Sequence, residues 1–144
     1  MATITEDFVS FETAKLLKEK GFDVPVKNYF SLNKDAILHN LDKKYGAKKN
    51  WNALEICISR PSQSIALKWL RKVHNILIGV NVLNENNKGN TDYSNPDRWW
   101  YFWEFTDTKG VYKEELQPDP LSNEYSTYEE AAEAAIKYCI EHLI

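Results

Sequence analysis

Apolar positions recur at helical spacing in three stretches of the chain. Phe11, Ala14, Leu16 and Leu17 share one side of the first, with Lys15, Lys18 and Glu19 opposite. Ser10 is placed to cap it, because its hydroxyl can accept a free backbone N–H, and Gly21 can end it in a left-handed conformation. A helix over 11–20 follows. In the second stretch Ile65, Ala66, Trp69, Leu70 and Val73 form the stripe, while Gln63, Lys68, Arg71 and Lys72 mostly face elsewhere. Pro61 suits its start, where a missing N–H costs nothing. The run Ile76–Leu83 follows with almost no loop and is apolar enough at first to be a strand covered on both faces. The rest of the chain must assemble around this helix–strand corner. The third stretch starts at Ser126 or Thr127. Glu130 lies three residues after Thr127, a capping-box spacing, and Glu129, Glu130 and Glu133 favour the helix dipole. Tyr128, Ala131, Ala132, Ala135, Tyr138, Cys139 and Leu143 make its packing flank, and the small alanines allow close approach to a sheet.

Alternation with period two takes over between these helices. Trp99–Thr106 is a strand by its aromatic content, Asp107–Gly110 is a tight turn, and Val111–Leu116 returns as a second strand. With Ile76–Leu83 these make an antiparallel meander. Weaker signals put a strand within Val26–Leu32, at an edge because Pro25 cannot donate, and a short buried strand at Leu54–Ile58. Asp35–Leu41 reads as a short helical piece, Gly46–Asn52 as an exposed basic loop, Asn84–Arg98 as a long polar loop and Gln117–Asn123 as a linker. The expected fold is α+β, a single domain over 1–144: an antiparallel sheet of three or more strands with helices packed mainly on one face.

Composition agrees with a globular chain. It has 144 residues, 43% hydrophobic and 13% aromatic. Two cysteines, Cys57 and Cys139, are too few for a disulfide scaffold and read as reduced structural thiols. The start of the chain lacks a basic head and an apolar run, and no stretch approaches the roughly 20 apolar residues of a membrane helix. The expectation is a cytoplasmic protein with no membrane contact. Net charge is −3 but uneven: residues 1–75 hold 13 Lys or Arg against 8 Asp or Glu, and residues 76–144 hold 5 against 13. The two halves either present faces of opposite sign or interleave and cancel.

The aromatic strand is the strongest candidate for a contact surface. Period two puts Trp99, Tyr101, Trp103 and Phe105 on one face, and Trp100 and Phe102 on the other. Either packing covers both faces, or one set of rings stays exposed and marks a binding surface. At least one of Trp99, Trp100 and Trp103 is expected to be exposed. Together with Tyr93 and Arg98 from the polar loop they make the candidate protein-binding set, of residue types enriched in hot spots. The alternative surface is basic: Lys43, Lys44, Lys48, Lys49, Lys68, Arg71 and Lys72, with Trp51 near in sequence, would suit nucleic acid, against which the pI of 5.6 argues. Cys139 and His142 lie three apart on a helix, a weak signal for a thiol nucleophile. No paired cysteines, His-Glu-x-x-His motif or glycine-rich phosphate loop occurs, so no metal and no cofactor is expected.

Two stretches carry a resemblance. Pro61 with Ala66–His74, and Tyr128–Ala131 continuing through Ala134–Cys139, resemble small accessory proteins of phages, prophages and mobile elements of gut anaerobic bacteria. Those proteins also open with a short helix similar to Phe11–Gly21. The resemblance covers about a third of the chain, outside residues 25–55 and 84–98. It implies an accessory gene product and supplies no activity and no catalytic residues. The expected function is a non-enzymatic protein-interaction module that modulates a host protein. The alternatives are a nucleic-acid-associated accessory protein using residues 43–72 and, third, a small enzyme using Cys139 and His142.

Overall fold

The computed structural model describes residues 2–32, 47–83, 99–107, 109, 116–119 and 123–144, together with the backbone of 38–41 and 84. Its first helix, α1 (Phe11–Glu19), is bounded by the residues that the pattern singles out. The Ser10 hydroxyl accepts from the Thr13 amide. At the other end Gly21 has φ +84°, and the amides of Gly21 and Phe22 donate back to the carbonyls of Lys18 and Leu17. This double closure is a Schellman motif, and Leu17 and Phe22, which it brings together, are both fully buried.

Strand β1 (Tyr29–Leu32) lies between β2 (Leu38–Leu41) and β3 (Cys57–Ser59), antiparallel to both. Helix α2 (Gln63–Val73) is capped by Ser62, and β4 (Ile76–Asn84) follows after only His74 and Asn75. Asn75 has φ +62°, a left-handed turn that a short polar side chain tolerates better than most. β4 then pairs antiparallel with β5 (Trp99–Asp107), in the register Ile76↔Asp107 through Asn84↔Trp99. Helix α3 (Tyr128–His142) is capped by Thr127, and Glu130 reaches back to the Ser126 amide. No helix among the described residues is long and apolar enough to cross a membrane.

The α+β class stands. The described strands form two separate antiparallel sheets, β2–β1–β3 and β4–β5. Residues 111–115, most of the expected third strand of the meander, lie outside the described residues. Among the described residues the edge of β5 is met by Gln117 and Asn123 of the expected linker and by Tyr125 just after it. Tyr101 and Tyr125 exchange amide–carbonyl bonds of 2.9 Å, the Asn123 amide group donates to the Trp103 carbonyl at 2.8 Å, and the Gln117 amide holds both the N–H and the carbonyl of Phe105. Side-chain amides thus do what a third strand's backbone would do, and hydrophobic periodicity cannot announce them.

Other boundaries shift for local reasons. Leu38–Leu41 is strand rather than part of a helical piece, since pairing with β1 overrides its weak helical spacing. Leu54 and Ile56 are exposed; of the expected Leu54–Ile58 strand only Cys57 and Ile58 are paired, and the strand runs on to Ser59. Val73 is exposed at the end of α2, whereas Gln63 is buried and donates to the Glu129 carbonyl at 2.9 Å.

The core lies between α1, α2, α3 and the inner face of the β4–β5 ribbon. Ala66, Trp69, Leu70, Ile76, Trp103, Phe105, Ala131, Ala135, Ile136, Cys139 and Ile140 belong to it. Ala131, Ala132 and Ala135 of α3 are wholly buried, as close approach requires. Glu133 ties α3 to the start of α1, one carboxylate oxygen accepting from the Ser10 amide at 2.9 Å and the Thr13 hydroxyl at 2.6 Å.

Candidate functional site

The ribbon outruns its helical cover. Toward the turn of α2 its inner face is core: Trp103 stands 5.1 Å from the Tyr138 ring and is 3% exposed. Toward the other end the cover thins. Tyr101 is only partly buried and meets Tyr128 edge-on, ring centres 6.5 Å apart, and Val82, its cross-strand partner, is 44% exposed. Trp99, two residues before Tyr101 and so on the same face, is 59% exposed, and Tyr128 is 45% exposed. The register sets Val82 diagonal to Trp99, within reach of a large ring. Val82, Trp99, Tyr101 and Tyr128 therefore make one apolar and aromatic patch around the start of α3.

The candidate protein-binding set is only partly gathered there. Trp99 is exposed, which meets the expectation that at least one of the three Trp rings would be. Trp103 is core, and Trp100, on the opposite face, is 5% exposed, so neither ring is on offer to a partner. Tyr93 and Arg98 lie outside the described residues. Val82 carried no site reading, and Tyr128 read as part of the packing flank of α3 but is exposed. The signal that could have found Val82 is the register, since Val82 pairs with Tyr101.

The basic set is likewise divided. Lys43 and Lys44 lie outside the described residues. Lys68, Arg71 and Lys72 are exposed along α2. Lys49 lies over the Trp51 ring, 5.3 Å from its centre, and Trp51 in turn stacks on Tyr29 at 3.9 Å. Lys48 lines a groove of about 270 Å³ with Lys27, Arg60, Glu6, Phe8 and Ser62. Arg60 is the residue sequence reading passed over: its guanidinium carbon sits 4.7 Å from the Phe8 ring centre and 5.3 Å from that of Phe30.

The thiols are structural. Both are free and buried, and burial pushes Cys139 up to about 12. The expected result is that neither Cys57 nor Cys139 reacts appreciably with a thiol reagent at neutral pH in the native state, while both react in denaturant. Rapid labelling of one site in the folded chain would contradict the burial of its sulfur. His142 lies against Tyr138, ring centres 4.4 Å apart, and lines a cavity of about 230 Å³ with His74 and Asp107, which Cys139 does not reach. No cluster of three or more metal-ligating side chains occurs among the described residues. Compared with protein-family models, curated proteins and solved structures, the chain matches none.

Proposed function

We propose that the chain is a non-enzymatic interaction module that meets a protein partner through the Trp99 end of the β4–β5 ribbon. The observation that carries this reading is the patch of Val82, Trp99 and Tyr128, three large apolar side chains exposed side by side. Aromatic rings on a strand give contact area at low entropy cost, and Trp is the type most enriched in hot spots. The likeness of 66–74 and 128–139 to accessory proteins of phages and mobile elements supports a host protein as the partner, whose activity the complex would modulate.

The test compares variants of the whole chain. Trp99→Ala is expected to weaken a purified complex about 30-fold, the ~2 kcal/mol of a hot-spot residue. Leu77→Ser, on the opposite face of the ribbon, should leave it unchanged. A host protein retained equally by wild type, Trp99→Ala and Val82→Ser would remove the patch from consideration.

The alternative is a nucleic-acid-associated accessory protein. Lys49 over the stacked Trp51 and Tyr29 rings favours it, because cations beside aromatic rings suit single strands. Retention on immobilised single-stranded DNA that falls steeply with salt, and falls further in Lys49→Gln, would select this reading over the first.

A further inference from the structure

We propose that the groove between Arg60, Lys27 and Lys48 binds a phosphomonoester. Three observations converge on it. Arg60 follows β3 directly, its amide held by the Asn28 carbonyl at 2.9 Å, and its guanidinium is laid against Phe8 and Phe30. Rings on its face fix the plane of the fork before any ligand arrives. Its Nε is shut off from solvent and has no hydrogen-bond partner, and no carboxylate among the described residues lies within ion-pair distance of it. A partly buried guanidinium ordinarily has a carboxylate beside it.

The second observation is the placing of the two lysines. Val26 and Lys49 exchange backbone hydrogen bonds of 3.1 and 3.0 Å as an antiparallel bridge. The next residues along, Lys27 and Lys48, are therefore opposite each other, and both line the groove. Like charges facing across a strand pair repel, and a bound anion between them turns the repulsion into attraction. Third, the groove reaches Ser62, the N-cap of α2, so the positive end of an 11-residue helix adds to the field.

The charge of the lining selects the ligand. Lys27, Lys48 and Arg60 stand against Glu6 alone, a net of +2. A phosphomonoester carries about −1.5 to −2 at neutral pH, with three strong acceptor oxygens for a guanidinium fork and two ammonium groups. A phosphodiester carries a single charge and a carboxylate a single charge and two oxygens. The volume, about 270 Å³, is just under the roughly 300–1,000 Å³ of ordinary ligand pockets. It suits one phosphoryl group and the short side chain bearing it, not a dinucleotide.

The test titrates the full chain with O-phosphoserine, dimethyl phosphate, sulfate and single-stranded DNA, followed by calorimetry and by amide chemical shifts of 26–28, 47–49 and 60–62. Saturable phosphoserine binding is expected, at least about tenfold tighter than dimethyl phosphate, because the diester lacks the second negative charge. Lys27→Gln with Lys48→Gln should weaken it about tenfold or more. Both side chains are exposed, so that double variant should fold even if Arg60→Gln does not. Arg60→Lys keeps the charge and loses the fork, and should weaken binding as well. Equal affinity for sulfate reduces the groove to an unselective dianion site and overturns the assignment. Binding of DNA without phosphoserine overturns it in favour of nucleic acid. Absence of saturation with any of the four overturns it outright. None of these outcomes depends on Trp99, so this inference and the proposed protein contact fail separately.

Discussion

Trp69→Ala is expected to lower the stability of the folded chain by about 3–5 kcal/mol, the usual range for truncating a large core side chain. Trp69 lies mid-stripe on α2 and is buried, meeting Phe22 edge-on at 5.4 Å and the imidazole of His74 at 4.5 Å. Phe22 is the residue that closes the Schellman end of α1, so the cavity would open where α1 and α2 meet. The variant has a second readout. Desolvation, with a smaller push from the Lys20 charge, holds His74 below its ordinary value of about 6.5. Removing the indole admits water and should move the His74 titration back up. Because the folded value is the lower one, the stabilisation linked to neutral His74 is fully present above about pH 6.5 and is lost as pH falls through the folded value. Wild type should therefore lose stability between these two values, and Trp69→Ala should lose less of it there. An unchanged urea midpoint in the variant would contradict the placing of Trp69 in the core.

The helices were legible because their signals are local. Ser10, Gly21 and Thr127 each act within a few residues of where they stand, and all three stand where the pattern puts them, whereas α2 is capped by Ser62 and Pro61 lies just before that cap rather than in the first turn. The strand Trp99–Asp107 was legible from aromatic content. Of the small sheet, β1 and the start of β3 left only weak signals and β2 read as helical, because strands of three or four residues offer too little alternation and are held by distant partners. Lys18 shows the same limit. It reads as a solvated charge opposite the stripe of α1, yet its ammonium group is gathered by the carbonyls of Leu54, Glu55 and Cys57 at 2.7–3.3 Å. Asn52 donates to the Phe22 carbonyl and accepts from the Ser59 amide, bonds that no spacing foretells. The candidate sites divide likewise. Period two put Trp99 and Trp103 on one face, but only the length of α3 relative to the ribbon decides which of them is covered. The Arg60 groove depends on the Val26↔Lys49 bridge, a pairing across 23 residues that leaves no periodic trace.

Within that one aromatic strand, stability and binding are expected to separate. Trp103→Ala should cost about 3–5 kcal/mol and Trp99→Ala less than about 0.5, the range for exposed sites away from special features. The two residues share a face and a residue type, so chemistry alone predicts equal effects. Burial predicts the difference: Trp103 packs on Tyr138 and its carbonyl is held by Asn123, while the Trp99 ring is mostly in water. A finer variant tests the cause. The Trp103 indole N–H is buried with no hydrogen-bond partner among the described residues, so Trp103→Phe gives up packing area but no hydrogen bond. It should cost clearly less than the alanine variant, with some relief from removing an unsatisfied donor. Paired unfolding curves for the three variants check all of this in one measurement. If Trp99→Ala proved as damaging as Trp103→Ala, the ribbon end would be core rather than surface, and the proposed contact at Trp99 would lose its footing.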